Sequence, residues 1–290
     1  MPPPEATRLP QDPPGGSLEP EAASNGTSIM KFSEILSSMV LSEGAWRAEV
    51  PEPWSQGRTV FGGLQAALML RAMRSVLPRA VPLRVFQVAF VAPVLPGVVR
   101  VKTRLLRTGK SVTQIEARIV TGDTSAALAV GIFGATRPSR VHVAPVRPPD
   151  PRGEPFVVPF MPGLSPSFLQ NFDMRWLEGA LLFTGSTTTK AVLGVGLLDE
   201  GPTTEEHVLA IADAPPPIAL SFLTEPAAGS SMTWTLEMLS ESVSALPLDG
   251  YRLDAELVAG HGGYTSQSVM VWGPGGEPVA LSRQSMVVFG

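Results

Sequence analysis

Residues 58–77 read RTVFGGLQAALMLRAMRSVL, and the fold follows from how such a segment has to be covered. After the Gly62-Gly63 pair, Leu64, Ala67, Leu68, Leu70, Ala72 and Met73 make a helix that is apolar nearly all round, so it is buried on every side. The next residues can supply the cover. LRVFQVAFVAPV (83–94), VVRVKTRLLRT (98–108), SVTQIEARIVTG (111–122) and AALAVGIFGAT (126–136) are rich in β-branched and apolar side chains, and turn pairs at Pro96-Gly97, Thr108-Gly109 and Gly122-Asp123 separate them. The unit is one buried helix followed by an antiparallel meander.

The unit recurs. FDMRWLEGALLF (172–183) and TTTKAVLGVGLL (187–198) read as strands, 205–223 as a helix, and SMTWTLEMLSES, YRLDAELVAGH, YTSQSVMVWG and PVALSRQSMVVFG as strands again. Residues 113–133 and 266–286 superpose at a constant offset of 153 without a gap, Gln114 on Gln267 and Ala127-Leu128 on Ala280-Leu281, which indicates a duplication. The sequence therefore predicts an α+β protein of two tandem repeats, each an antiparallel sheet wrapped around its own long helix. Residues 1–28, rich in Pro, Gly, Glu and Ser, are expected to form a disordered tail. A first domain is expected over 29–137, opening with a short amphipathic helix in MKFSEILSSMVL, then a proline-rich linker over 138–167 and a second domain over 168–290.

Composition narrows the function. A net charge of −4 with no basic run argues against a nucleic-acid partner. The absence of cysteine removes a thiolate nucleophile and a Cys-type zinc site, and His142, His207 and His261 stand far apart, so neither a metal nor another cofactor is expected. The start of the chain resembles no signal peptide, and no apolar run approaches the roughly 20 residues that span a bilayer, which points to a cytoplasmic protein. RTGKS (107–111) contains the GKS of a phosphate-binding loop, but Arg104 stands where that motif needs its first glycine. No GxSxG elbow occurs.

One acid stands out in 205–223, EEHVLAIADAPPPIALSFL. Ala214 and Pro215 to Pro217 fit the first turn of a helix, where a missing N–H costs nothing, and this puts Asp213 at the N-cap. A capping aspartate stabilises a helix by about 1 kcal/mol and alone implies no chemistry.

VFGG before the buried helix, LRVFQVAFVAPVLPG, RTGKS, FDMRW, the Asp of IADAPPP, MTWTLEM and the terminal SRQ, taken together and in order, resemble the type II acyl-CoA thioesterases, which are double hot-dog proteins. The similarity runs from Met30 to Gly290. It implies hydrolysis of acyl-CoA to a free fatty acid and CoA, with Asp213, Thr233 and Gln284 holding the attacking water; Ser230, Ser231 and Thr235 lie close enough to exchange with Thr233. The residue types suit that chemistry, a carboxylate accepting the proton and neutral side chains orienting the lone pair. At the 153 offset Gln284 falls on Gly131, so one working site per chain is expected. Because the three prolines lack N–H groups, the oxyanion donors are expected from Gly62, Gly63 and Leu64. Arg58, Arg107 and Lys110 are candidates for the CoA phosphates. At least a homodimer is expected, because each sheet still exposes edges. The rival readings are a hot-dog enoyl-CoA hydratase or dehydratase, for which the expected helix starts offer no histidine, and a non-catalytic acyl-CoA binder.

Overall fold

The computed structural model describes residues 30–289, so the expected tail over 1–28 lies outside the described residues. In chain order the first half holds α1 (Phe32–Ser37), β1 (Val40–Ser42), β2 (Ala45–Val50), β3 (Ser55–Gln56), β4 (Thr59–Val60), α2 (Gly62–Val76), β5 (Leu83–Phe90), β6 (Gly97–Thr108), β7 (Val112–Thr121) and β8 (Thr124–Gly134). The second half holds β9 (Phe156–Val157), β10 (Phe172–Glu178), β11 (Lys190–Leu197), α3 (Glu205–Asp213), β12 (Ala228–Met238), β13 (Tyr251–His261), β14 (Tyr264–Trp272) and β15 (Pro278–Phe289).

Thirteen of these strands form a single sheet, in the order β1-β2-β6-β7-β8-β5-β12-β15-β14-β13-β11-β10-β9. The two meanders fuse where β5 pairs antiparallel with β12, from Thr233 opposite Ala89 to Glu237 opposite Val85. Each half thereby satisfies the backbone groups of the edge the other would expose. The two helices fill the hollow of the sheet and run antiparallel to each other: Gly63 packs beside Ala210, and Arg74 near the end of α2 pairs with Glu205 at the start of α3. In α2 the residues Leu64, Ala67, Leu68 and Met73 are fully enclosed, as an all-round apolar helix requires.

The second helix differs from the expectation in extent and direction. It runs only from Glu205 to Asp213, and a separate 3-10 turn covers Ile218–Phe222. Pro215 to Pro217 therefore end this helix instead of opening one: a proline there has no N–H for the ladder and its ring collides with the preceding turn. The actual start is Thr204, whose N–H donates to Nδ1 of His207 at 3.0 Å. Only the first repeat has a long helix, of 15 residues, while α3 has 9.

The duplication is also less regular than the gapless offset implies. Ile115 is opposite Gly131 in the first half and Gln267 is opposite Gln284 in the second. The last strands thus match at 153, but β7 and β14 match at 152, because the second hairpin is one residue longer. A slip of one residue turns every side chain to the other face. Gln267 accordingly points inward and is buried, whereas Gln114 lies on the outer face. The stretch read as a linker is also tied down: the carbonyls of Pro148 and Pro149 accept from the buried Arg252 guanidinium at 3.1 and 2.9 Å, and β9 pairs with β10.

The position matching Gln284 in the first half is filled. A Cβ on Gly131 would lie 2.6 Å from Sδ of Met73 and 2.9 Å from the Phe133 ring. Arg74 lies 4.8 Å over that ring and is ion-paired to Glu205, whose other oxygen accepts from the N–H of Leu83 at 2.8 Å. Gly131→Ala is expected to lower stability by about 1–3 kcal/mol through overpacking. Denaturant unfolding checks this, and an unchanged midpoint would contradict it.

Candidate active site

Four separate stretches of chain meet at the seam between the halves. The last residue of α3 is Asp213, the first turn of α2 begins at Gly62, and the end of the sheet contributes Ser231 from β12 and Gln284 from β15. Gln284 faces inward and donates through Nε2 to Oδ1 of Asp213 at 2.5 Å, while its Oε1 accepts from Oγ of Ser231 at 3.0 Å. The backbone N–H of Gly63 is near enough to the same carboxyl group to favour its ionised form. A Cβ on Gly62 would come within 2.7 Å of Oδ2 of Asp213, so only glycine lets the carboxyl sit this close to the helix start.

Ser231 reaches the inner face through a bulge. Beyond it β12 alternates with Trp234, Leu236 and Met238 inward, and a straight strand would turn Ser231 out. The ladder instead shifts at Met232, so that Ser231 stands opposite Met286 and Thr233 opposite Ser285. Thr233 is exposed on the outer face and does not reach Asp213 or Gln284, so the position expected for it in the site is held by Ser231. Ser230 also lines the cleft, whereas Thr235 does not.

The cleft over these groups has a volume of about 210 Å³ and is walled by Phe90, Pro217 and Met286 on its apolar side and by Thr59 and Gln65 on a polar one. The loop after Asp213 is held by Gln267, which accepts from the N–H of Ile218 at 2.7 Å and donates to the carbonyl of Pro216 at 3.3 Å. Gln267 and Gln284 are cross-strand neighbours, so one face of the sheet braces both the acid and the segment that follows it. No group of three or more His, Cys, Asp or Glu side chains gathers among the described residues. His207, in the first turn of α3, bonds Asp199 through Nε2 at 3.1 Å and the N–H of Thr204 through Nδ1, and takes no part in the cleft.

Burial is the largest influence on Asp213 and pushes its carboxyl up to about 7, against the lowering effect of Gln284 and Gly63. The end of a helix is also the negative end of its dipole, which disfavours a carboxylate further. A carboxyl group raised this far accepts a proton more readily than an ordinary carboxylate and is still about half ionised at neutral pH.

The cationic candidates do not gather in one place. Arg58 is exposed in the β3–β4 turn, between Gln56 and Thr59, which line the cleft. Arg107 and Lys110 lie at the β6–β7 hairpin tip, whose neighbours in the sheet are Phe133 and Leu83. The cleft is at the other end of β5, by Phe90, a strand length of about 23 Å away at about 3.3 Å per residue. Those two cations are therefore remote from Asp213 within the chain.

Sequence profiles agree with this architecture. The acyl-CoA thioesterase N-terminal domain matches residues 50–134 and the acyl-CoA thioesterase C-terminal domain matches residues 139–288. No curated protein sequence matches the chain. Among solved structures, a conserved hot-dog protein of unknown function from Alicyclobacillus acidocaldarius superposes with a TM-score of 0.80 at 20% identity, covering 89% of this chain and 98% of that one. The tesB protein of Mycobacterium avium subs paratuberculosis superposes at 0.71 and 15% identity, covering 90% and 100%. The dehydratase domain of RzxB from Pseudomonas fluorescens has a lower TM-score, 0.56 at 10% identity, covering 90% and 100%. The fold is a double hot-dog. The chain belongs to the acyl-CoA thioesterase family and is an acyl-CoA thioester hydrolase.

Two outcomes are expected from this geometry. Gly62→Ala places a methyl against Oδ2 of Asp213 and should lower kcat on the order of 10²-fold while the protein remains folded by circular dichroism. Wild-type kcat in the variant would contradict the close approach. The second concerns pH. With its folded pKa raised above the unfolded one, Asp213 favours the native state most at low pH, and this contribution is lost as pH rises through about 7. Asp213→Asn removes the titration, so its melting temperature should gain on wild type between pH 4 and pH 8; a difference independent of pH would contradict the shift.

Proposed function

We propose that Asp213 acts as general base on a water molecule that attacks the thioester directly, with no acyl-enzyme. The observation that carries this reading is the chain of bonds from Ser231 through Gln284 to Asp213, closing on the first turn of α2. Ser231 gives its hydroxyl proton to an amide oxygen, not to a base, so its oxygen is free to accept but is not activated as a nucleophile. A water donating one hydrogen to Oδ2 of Asp213 and the other to Oγ of Ser231 is left with its lone pair for the carbonyl carbon.

The carbonyl oxygen then gains negative charge at the positive end of α2. Gly62, Gly63 and Leu64 begin this helix, and their backbone N–H groups are the donors we assign to the oxyanion. Collapse of the tetrahedral species breaks the C–S bond. The proton taken up by Asp213 passes to the departing CoA sulfur, leaving the acid and CoA as products. Arg58, at the cleft mouth, is the cation we assign to the CoA phosphates. We further propose a homodimer or higher oligomer, on the ground that the edge strands β1 and β9 expose Val40, Leu41, Phe156 and Val157.

Steady-state CoA release tests the assignment, and it also separates hydrolysis from hydration, which frees no thiol. Asp213→Asn should lower kcat by on the order of 10²–10⁴. Gln284→Ala should lower kcat more than it raises KM, and the double variant should be hardly worse than the worse single one, because both groups act on one water. A fully active Asp213→Asn protein would sink the general-base role, and additive losses would mean that the two residues do not share the water. Ser231→Ala should impair turnover and Thr233→Ala should not; the reverse pattern would return the role to Thr233.

A further inference from the structure

Gln65 is the buried polar side chain of the cleft that the hydrolytic chemistry leaves unused. It is 4% exposed and lines the same cleft as Gly62, Asp213 and Ser231. Its Nε2 donates to the carbonyl of Val60 at 2.6 Å and lies 3.5 Å from Oγ1 of Thr59. Because the carbonyl of Val60 can only accept, this contact fixes which end of the amide is nitrogen. The other end, Oε1, is buried and finds no donor among the described residues. A buried acceptor in that condition is uncommon and unfavourable, and methionine would fill the same space without it.

The position relative to the reacting groups is informative. Gly62 and Gln65 are three residues apart on α2, hence on one face and about 4.5 Å apart along the helix axis. We propose that Oε1 of Gln65 accepts a hydrogen bond from the amide N–H of the cysteamine arm, the hydrogen-bond donor closest to the sulfur in every CoA thioester. Held there, the arm presents the scissile carbonyl to the start of α2 and to the water on Asp213. Gln65 is then a substrate-binding residue that reads the thiol side of the substrate and not the acyl side. This rests on the thioesterase reading of the cleft.

The test compares three thioesters of one carboxylic acid: the CoA ester, the N-acetylcysteamine ester, which keeps the amide N–H, and the S-propyl ester, which has none. For Gln65→Met, kcat/KM should fall about tenfold with the first two and stay within about threefold with the third, the size of one hydrogen bond. Ratios between substrates do not depend on the fraction of folded enzyme, and Gln65→Leu gives the same comparison if the methionine variant is insoluble. Equal losses on all three esters would show a structural role, and no loss on any would show that Oε1 is not used; either result overturns the inference. Wild-type protein inert towards all three would overturn the thioesterase reading itself, and this inference with it.

Discussion

A carboxyl group in the last turn of a helix opposes the helix dipole, and one enclosed by protein also loses its hydration; both disfavour its charge. Asp213 carries the first burden in full and the second in part, since it is half-buried at the cleft, and the surrounding structure is arranged around it. The helix has to stop at this residue, which the three prolines ensure. The opposing helix has to bring its positive end close, which requires glycine at 62 and 63, since side chains there would collide with the carboxyl, the Phe61 ring and the backbone of Ala210. The sheet has to supply a donor at the right height, which Gln284 does. Taken away from its partners, the acid would be a liability; at the seam it is placed to serve as the base we propose.

Duplication explains why Asp213 stands where it does. In a fused pair of hot-dog units each helix start faces the other helix end, so the architecture offers two related positions. One became Gly62 opposite Asp213, and the other became Glu205 near Arg74. At the second position Gly131 replaces the glutamine, and Met73 and Phe133 occupy the space its side chain would need. Packing in this second position now resembles ordinary core with a paired charge across it. The first position is built from both halves, because its acid and its amide come from the second and the facing helix start from the first.

Much of this was legible in the sequence, and the failures have identifiable causes. The apolar period of 58–77 and the run of β-branched segments sufficed for helix and meander, since burial decides both. Asp213 and Gln284 were named from the sequence, but the direction of the helix beside Asp213 was read backwards: prolines suit a first turn and end a last one equally well, and no local signal separates the two uses. Ser231 was hidden by a bulge, which changes the face of a residue without marking the composition. The gapless repeat concealed a one-residue difference in hairpin length, so Gln114 and Gln267 seemed equivalent although they face opposite ways. Arg107 and Lys110 were placed by charge alone, and only the register of β5 to β8 shows how far they lie from the cleft. Gln65 carried no sequence signal beyond a polar residue in an apolar helix.

The central claim is that the carboxyl of Asp213 is held as a neutral-pH base by burial at the seam. Carbon-13 NMR of protein labelled at the aspartate carboxyl carbons, with the resonance assigned by its loss in Asp213→Asn, follows that group directly as pH is changed. The account predicts a midpoint of about 7. A midpoint at or below the ordinary aspartate value of about 3.9 would contradict it.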